Sequence, residues 1–173
     1  PRIVYCSSTG FGETGPEKYM PGCDFIIQAM SGLMSITGTK ESGPQKYGVA
    51  IVDVLTGLYA CIGIQAALLE RVQSGKGQKL DISLYDTAGS ELGNIGSKYL
   101  MAEKVPSALG NIHANIVPYQ TFKTLDSEMV IAVGNDNQYK ALCNVLGKPE
   151  YATDERFQTN PKRVEYRDTI VPL

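Results

Sequence analysis

The groups in this sequence with chemistry to offer are a few carboxylates and thiols and a single imidazole, and their neighbours differ sharply. Asp53 stands between Ala50-Ile51-Val52 and Val54-Leu55, the most apolar setting of any carboxylate in the chain. An Asp just before a helical pattern commonly caps the helix, and that role alone accounts for the position. The same placement also suits a nucleophile. The helix dipole favours negative charge there, and apolar neighbours leave the carboxylate poorly hydrated. Asp24, in Pro21-Gly22-Cys23-Asp24-Phe25, is likewise placed to cap a helix, and as a second carboxylate it can serve acid-base chemistry near Asp53. Cys23 reads either as a reactive thiol or as a small buried filler. His113 is the only histidine, so neither a Ser-His-Asp triad nor a histidine metal site assembles, and no metal is expected.

Two glycine loops invite a phosphate reading. Gly10-Phe11-Gly12-Glu13-Thr14-Gly15 fits GxGxxG after a strand, but Pro16 and Pro21 interrupt the helix whose amides would face a pyrophosphate. No acidic residue ends a strand at the required distance, since Glu41 lies in the loop-like Lys40-Glu41-Ser42-Gly43-Pro44. Gly75-Lys76-Gly77-Gln78 lacks the Walker spacing and follows a helix C-terminus, which repels anions, so it reads as a turn. Tyr85 and Asp86 follow a strand end, where side chains either line a ligand crevice or pack and cap.

These residues need elements to hold them. The pattern predicts a strand over Ile3–Ser7, a loop to Gly22, a helix over Asp24–Met34 and a loop over Gly38–Gly48. From Leu55 a helix is expected, with Leu55, Leu58, Tyr59, Ile62, Ala66 and Leu69 on one side and Gly75 ending it. Gly57, Ala60, Gly63 and Ala67 make a stripe of small residues that predicts close backbone packing. The apolar run Val54–Leu69 falls short of a membrane span and is expected to be a buried helix. Leu80, Ile82 and Leu84 alternate with polar residues as a strand, and Thr87–Ala102 reads as helical. That order implies an α/β layer over residues 1–104. A connector over 105–117 leads to a second unit over 118–173, with a hairpin (Tyr119–Lys123 and Met129–Val133), a helix over Gln138–Leu146 and a helix around Arg163–Ile170.

The chain has 173 residues, 43% of them hydrophobic and 20% charged, with a net charge of -2, which suits a globular protein and gives no drive toward nucleic acid. The four cysteines, Cys6, Cys23, Cys61 and Cys143, lie far apart, which points to reduced thiols in a cytoplasmic setting. The chain opens on Pro1 without a basic-then-apolar leader.

Several segments in series carry a resemblance. They are Ser8-Thr9-Gly10-Phe11-Gly12-Glu13-Thr14-Gly15-Pro16, Pro21-Gly22-Cys23-Asp24, Gln28-Ala29-Met30-Ser31-Gly32-Leu33-Met34, Gly48 through Ala60 around Asp53, Gly75-Lys76-Gly77-Gln78 and Asp81-Ile82-Ser83-Leu84. In this order they resemble the family III (CaiB/BaiF) CoA-transferases, the group of formyl-CoA transferase, carnitine CoA-transferase and α-methylacyl-CoA racemase. The distal part, with Ile116 through Thr124, Val133-Gly134-Asn135 and Arg156 through Asn160, is similar to the succinyl-CoA:glutarate branch.

The resemblance implies transfer of CoA from an acyl-CoA donor to a carboxylic acid, the distal part suggesting a dicarboxylic one, with coenzyme A as a substrate and no permanently bound cofactor. It implies that Asp53 is the nucleophile, that Asp24 is an acidic site residue, and that Gly22, Cys23 and Leu84 lie against CoA. It further implies an incomplete Rossmann-like large domain followed by the start of an α+β small domain, truncated at both ends, from a family of interlocked homodimers. Cys23 stands where the racemase branch has histidine, which favours transfer over racemisation. A remnant that keeps Asp53 only as a cap, or an interaction module, is the alternative from another class.

Overall fold

A computed structural model describes residues 1–173, which divide into two compact units, Pro1–Ala108 and Leu109–Leu173. The first contains β1 (Tyr5–Thr9), α1 (Asp24–Met30), α2 (Leu33–Ile36), β2 (Gly38–Thr39), β3 (Gly43–Pro44), α3 (Ile51–Ser74), β4 (Lys79–Ser83), α4 (Leu84–Glu91) and α5 (Gly93–Ala102). β1 and β4 pair in parallel, with Tyr5 opposite Lys79 and Thr9 opposite Ser83, and α3 is the crossover between them. The short β2 and β3 pair antiparallel within the loop that precedes α3.

The first strand starts two residues later than the alternation of Ile3-Val4-Tyr5 suggests. The backbone before it lies directly over the turn after α3: the Gly77 N–H donates to the Pro1 carbonyl at 2.7 Å, and a Cβ on Gly77 would stand 1.8 Å from the Ile3 carbonyl oxygen. Two expected helices break at glycines with positive φ. Gly32 (φ 92°) lies between α1 and α2, and Gly93 (φ 51°) is the first residue of α5, just after the break from α4. Leu84, expected in the strand, is instead the first residue of α4. Ser83 ends the strand and caps the helix, accepting from the Asp86 N–H at 3.0 Å while its hydroxyl donates to Asp86 Oδ2 at 2.7 Å.

Helix α3 ends at Gly75 as expected but corrects the expectation that it is buried. It is 24 residues long, with Gly75 at φ 73°, and an 18-residue window reaches a mean hydropathy of 1.7, enough by length and composition to cross a membrane. The core helix of a soluble protein meets the same criterion when it is mostly buried, but here only Val52, Thr56 and Ala67 are buried, and Leu58, Ile62, Leu69 and Val72 are exposed. The small-residue stripe does not bring a neighbouring backbone close: a Cβ on Gly63 would meet only the Leu80 side chain, at an ordinary 3.4 Å, and Gly57 faces open space. What fixes the helix is its N-terminal end, where Val52 joins Ile27 of α1 and Ala88 of α4 in a fully buried cluster flanked by Phe11, Leu33, Ile51 and Leu84. Full burial of an Ile or Val is worth about 1.5–3 kcal/mol, so this cluster is what holds the three helices together.

The second unit contains β5 (Tyr119–Lys123), β6 (Glu128–Ala132), α6 (Asp136–Val145), a 3-10 turn (Pro149–Ala152), α7 (Asn160–Glu165) and α8 (Arg167–Ile170). β5 and β6 form the expected hairpin. Asn135 caps α6 by accepting from the Gln138 N–H at 2.9 Å, and Gln138 Oε1 accepts from the Gly134 N–H at 2.7 Å. The helix expected around Arg163–Ile170 is broken at Tyr166 into α7 and α8. The apolar core consists of Val117, Val133, Tyr139, Cys143, Phe157 and Ile170, with the fully buried Arg163 set into it. Its guanidinium donates to the Val117 and Phe157 carbonyls and to Asp136 Oδ1, each at 2.8 Å, and lies 4.3 Å from the centre of the Tyr139 ring.

Candidate functional site

Asp53 does not cap α3. The helix begins two residues before it, at Ile51, with Ala50 as the capping residue, so Asp53 is in the first turn. Its surroundings also differ from the apolar setting its linear neighbours suggest, because the side chain is exposed and makes no hydrogen bond or ion pair with the protein. The neighbouring Val52 is the residue that is fully buried. A carboxylate in the first turn of a long helix is electrostatically favoured, and this one has no structural bond to break before reacting.

The capping is done from a distance. Asp24 is buried at the start of α1, where Cys23, not Asp24, is the capping residue, with an extended backbone and no side-chain bond to the helix. Asp24 Oδ1 accepts from the N–H of Val52 at 2.8 Å, which fixes the first turn of α3. Its Oδ2 accepts from Gln28 Nε2 at 2.6 Å, and Gln28 Oε1 in turn accepts from the Tyr47 N–H at 2.8 Å. Asp24 therefore serves a helix, but α3 rather than its own, and it contacts the backbone one residue before Asp53.

The other expected site residues lie around the same three helices. Gly22 is pressed against Gly10: a Cβ on Gly22 would stand 2.8 Å from Gly10 Cα, and one on Gly10 would stand 2.7 Å from Gly22 Cα. This backbone crossing joins the glycine loop to the start of α1, and the Gly10 carbonyl also accepts from the Tyr85 N–H at 3.0 Å. Cys23 is exposed, so the buried-filler reading of its thiol fails. Leu84 packs half-buried on the Ile27–Val52–Ala88 cluster. Asp53, Asp24, Gly22, Cys23 and Leu84 thus stand on α1, α3, α4 and the loop before α1, all gathered by one core cluster.

The glycine loops hold structure together. No helix opens at Gly10–Gly15, and Gly12 and Gly15 take positive φ values of 84° and 88°. The Gly12 N–H donates to Thr9 Oγ1 at 2.8 Å and the Glu13 N–H to Asp81 Oδ2 at 2.9 Å, so these amides already have partners. Glu13 pairs with Lys79, which holds its carboxyl below the usual range. Asp86 is taken up by its bond with Ser83, while exposed Tyr85 lies 5.6 Å from the ring of Phe11. His113 decorates the second unit, its Nδ1 accepting from the Asn115 N–H at 3.1 Å.

The sequence reading did not single out Gln28 or Tyr47. The signal for Gln28 was its place one helical turn after Asp24, where side chains four apart meet. Tyr47 bonds through its backbone, and no residue type announces that. With Leu33, Thr37, Ile51, Leu55 and Glu91, these two residues line a cavity of about 110 Å³ beside the first turn of α3. A larger cavity of about 290 Å³ lies in the second unit and is lined mainly by apolar side chains such as Phe122, Ile131 and Leu142, without a carboxylate.

Comparison with known proteins gives a consistent result. A model described as CoA-transferase family III matches residues 1–172. The succinate–glutarate CoA-transferase of Agrobacterium fabrum is 47% identical over 96% of this chain, which covers 42% of that protein. The succinyl-CoA:glutarate CoA-transferase of Mus musculus is 42% identical over 100% of this chain, covering 40% of that protein. Among solved structures, a CaiB/BaiF family protein from Brucella suis matches with a TM-score of 0.79 at 47% identity, over 99% of this chain and 46% of that one. The chain thus spans about 40% of the length of these curated relatives.

Proposed function

This chain belongs to CoA-transferase family III, and we propose that it supplies the nucleophilic carboxylate, Asp53, of an enzyme that moves CoA between an acyl-CoA and a carboxylic acid. The observation that carries the reading is the state of Asp53, an exposed carboxylate without a protein partner in the first turn of a 24-residue helix, while the neighbouring Asp24 is fully engaged in holding that turn. A carboxylate that served only structure would be expected to show the bonds that Asp24 shows.

In the proposed reaction, an Asp53 carboxylate oxygen attacks the donor thioester carbonyl, the C–S bond breaks, and CoA leaves as thiolate from a mixed anhydride. The thiolate then attacks the aspartyl carbonyl and expels the donor acid as carboxylate, leaving CoA as a thioester on Asp53. The acceptor carboxylate attacks that thioester to form a second mixed anhydride and release the thiolate. Attack of the thiolate on the acceptor's acyl carbonyl yields the new acyl-CoA and restores Asp53. Each step is an acyl substitution in which no proton need be removed from the nucleophile. The positive end of α3 lies next to the charge that moves on and off the carboxylate.

The similarity to succinate–glutarate enzymes supports short dicarboxylic acids as the acids exchanged. Cys23, where the resemblance puts the base of the racemases, supports transfer over racemisation. We further propose that the chain acts as part of a longer polypeptide that completes the CoA pocket, in a homodimer and in the cytoplasm. The coverage of its relatives supports the first point, the exposed face of α3 the second, and four free cysteines the third. The test is exchange between succinyl-CoA and glutarate by the complete protein and its Asp53→Asn variant. Glutaryl-CoA formation that falls by at least about 10³-fold in the variant supports the reading. Transfer that survives the substitution overturns it.

A further inference from the structure

The entry into α3 is held at Tyr47 and at Val52 by two buried side chains that bond to each other, Gln28 and Asp24. Gln28 is only 1% exposed, and its amide has a donor on one side and an acceptor on the other. The Nε2 donor faces Asp24 Oδ2 at 2.6 Å, and the Oε1 acceptor receives the Tyr47 N–H at 2.8 Å. Only this amide orientation satisfies both neighbours, since a carboxylate accepts and a backbone N–H donates. Asp24 passes the constraint to the Val52 N–H, so the segment from Tyr47 to Val52 is clamped at both ends by the same Gln28–Asp24 pair. Asp53 is the next residue.

We propose that Gln28 is a positioning residue for the nucleophile: its carboxamide fixes Asp24 and the Tyr47 loop together, and thereby sets the place and direction from which the Asp53 carboxylate attacks. The proposal rests on Asp53 being the nucleophile. A displacement of about 1 Å in a reacting group costs about 10²-fold in rate, and the clamp acts on the backbone adjoining that group. Because Gln28 is buried behind α3 and Asp53 is exposed, the effect falls on the chemical step rather than on CoA affinity.

Two substitutions in the complete protein separate positioning from folding. Gln28→Met keeps the volume and removes both bonds, and kcat is expected to fall by about 10- to 10²-fold with KM little changed. Gln28→Glu keeps an acceptor for Tyr47, but it can donate to Asp24 only when protonated. The titratable groups around this position are Asp24 on its own helix, Tyr47 on the loop and Glu91 on α4. Burial and the neighbouring carboxylates raise the pKa of an introduced carboxyl. The ratio of Gln28→Glu to wild-type kcat is therefore expected to rise as pH falls, whereas the Gln28→Met ratio stays flat.

Both are measured below the melting temperature of each variant and normalised to folded protein. Wild-type kcat in folded Gln28→Met, or a flat ratio for Gln28→Glu, overturns the proposal. Failure of the parent reading looks different, because transfer by the wild type would then persist in Asp53→Asn. If both Gln28 variants fail to fold, single-turnover acylation by Gln28→Asn, whose amide is one methylene too short to reach both partners, decides the matter. A slowed acylation upholds positioning, and a wild-type rate overturns it.

Discussion

Replacing Arg163 with Met should unlock the second unit and leave the first untouched. The guanidinium is fully buried and donates to the Val117 and Phe157 carbonyls, both on fully buried residues. Leaving each carbonyl without its donor costs about 1–3 kcal/mol. The stack on Tyr139 at 4.3 Å adds about 2 kcal/mol where water is excluded. The Asp136 carboxylate is half exposed, so it rehydrates once unpaired and adds little. Against these losses, Met does not require burial of a charge, which returns about 1–4 kcal/mol. The net is about 3 kcal/mol, or on the order of 10²-fold in the opening equilibrium. Hydrogen exchange followed by mass spectrometry reads this directly, because peptides from β5, β6 and α6 should lose protection by that factor while those from β1, β4 and α3 report the unaffected unit. Unchanged protection around Phe157, or equal loss in both units, would refute the account of Arg163 as the centre of the second core.

Two further outcomes follow from the packing. Burial, and secondarily the Cys143 thiol, push the Tyr139 phenol well above the ordinary value of 10.0. The folded phenol holds its proton to higher pH than the unfolded one, so its contribution is intact below pH 10.0 and fades as pH climbs toward the folded value. Alkaline titration should show Tyr139 as the last tyrosine to ionise, with the second unit losing stability over the same range. Gly22→Ala should destabilise the first unit by about 1–3 kcal/mol, since the new methyl meets Gly10 Cα at 2.8 Å and both Phe11 and Ile27 at 3.2 Å; an unchanged Tm would contradict the backbone crossing.

What the sequence disclosed and what it hid divide along physical lines. Alternation and turn residues located the β5–β6 hairpin, β4 and α6, because those signals are local. The start of α3 was misplaced because its cap comes from Asp24, 28 residues away along the chain. An Asp ahead of a helical pattern looks like the cap, and nothing in the linear order shows that the donor it would serve is already bonded elsewhere. The apolar neighbours of Asp53 misled for a related reason. Successive helical residues point about 100° apart, so Val52 can be fully buried while Asp53 and Val54 face outward. Apolar composition predicted a buried α3, but burial needs a covering surface that composition does not describe. The expected helices ran through Gly32 and Gly93, because whether a glycine is tolerated or takes positive φ depends on the packing beyond it. Asp53 was singled out as a candidate by its surrounding motif, whereas the Gln28 clamp depends on a backbone N–H that no residue type marks.

The account turns on whether CoA becomes covalently attached to Asp53. The direct measurement is to mix the complete protein with succinyl-CoA in the absence of an acceptor, quench in acid, digest, and search the peptide spanning Ile51–Arg71 by mass spectrometry. The predicted result is a CoA thioester on Asp53 that hydroxylamine removes, that glutarate discharges as glutaryl-CoA, and that is missing in Asp53→Asn. An active, folded enzyme that turns over succinyl-CoA with no adduct on Asp53, or with the adduct on another residue, would contradict it.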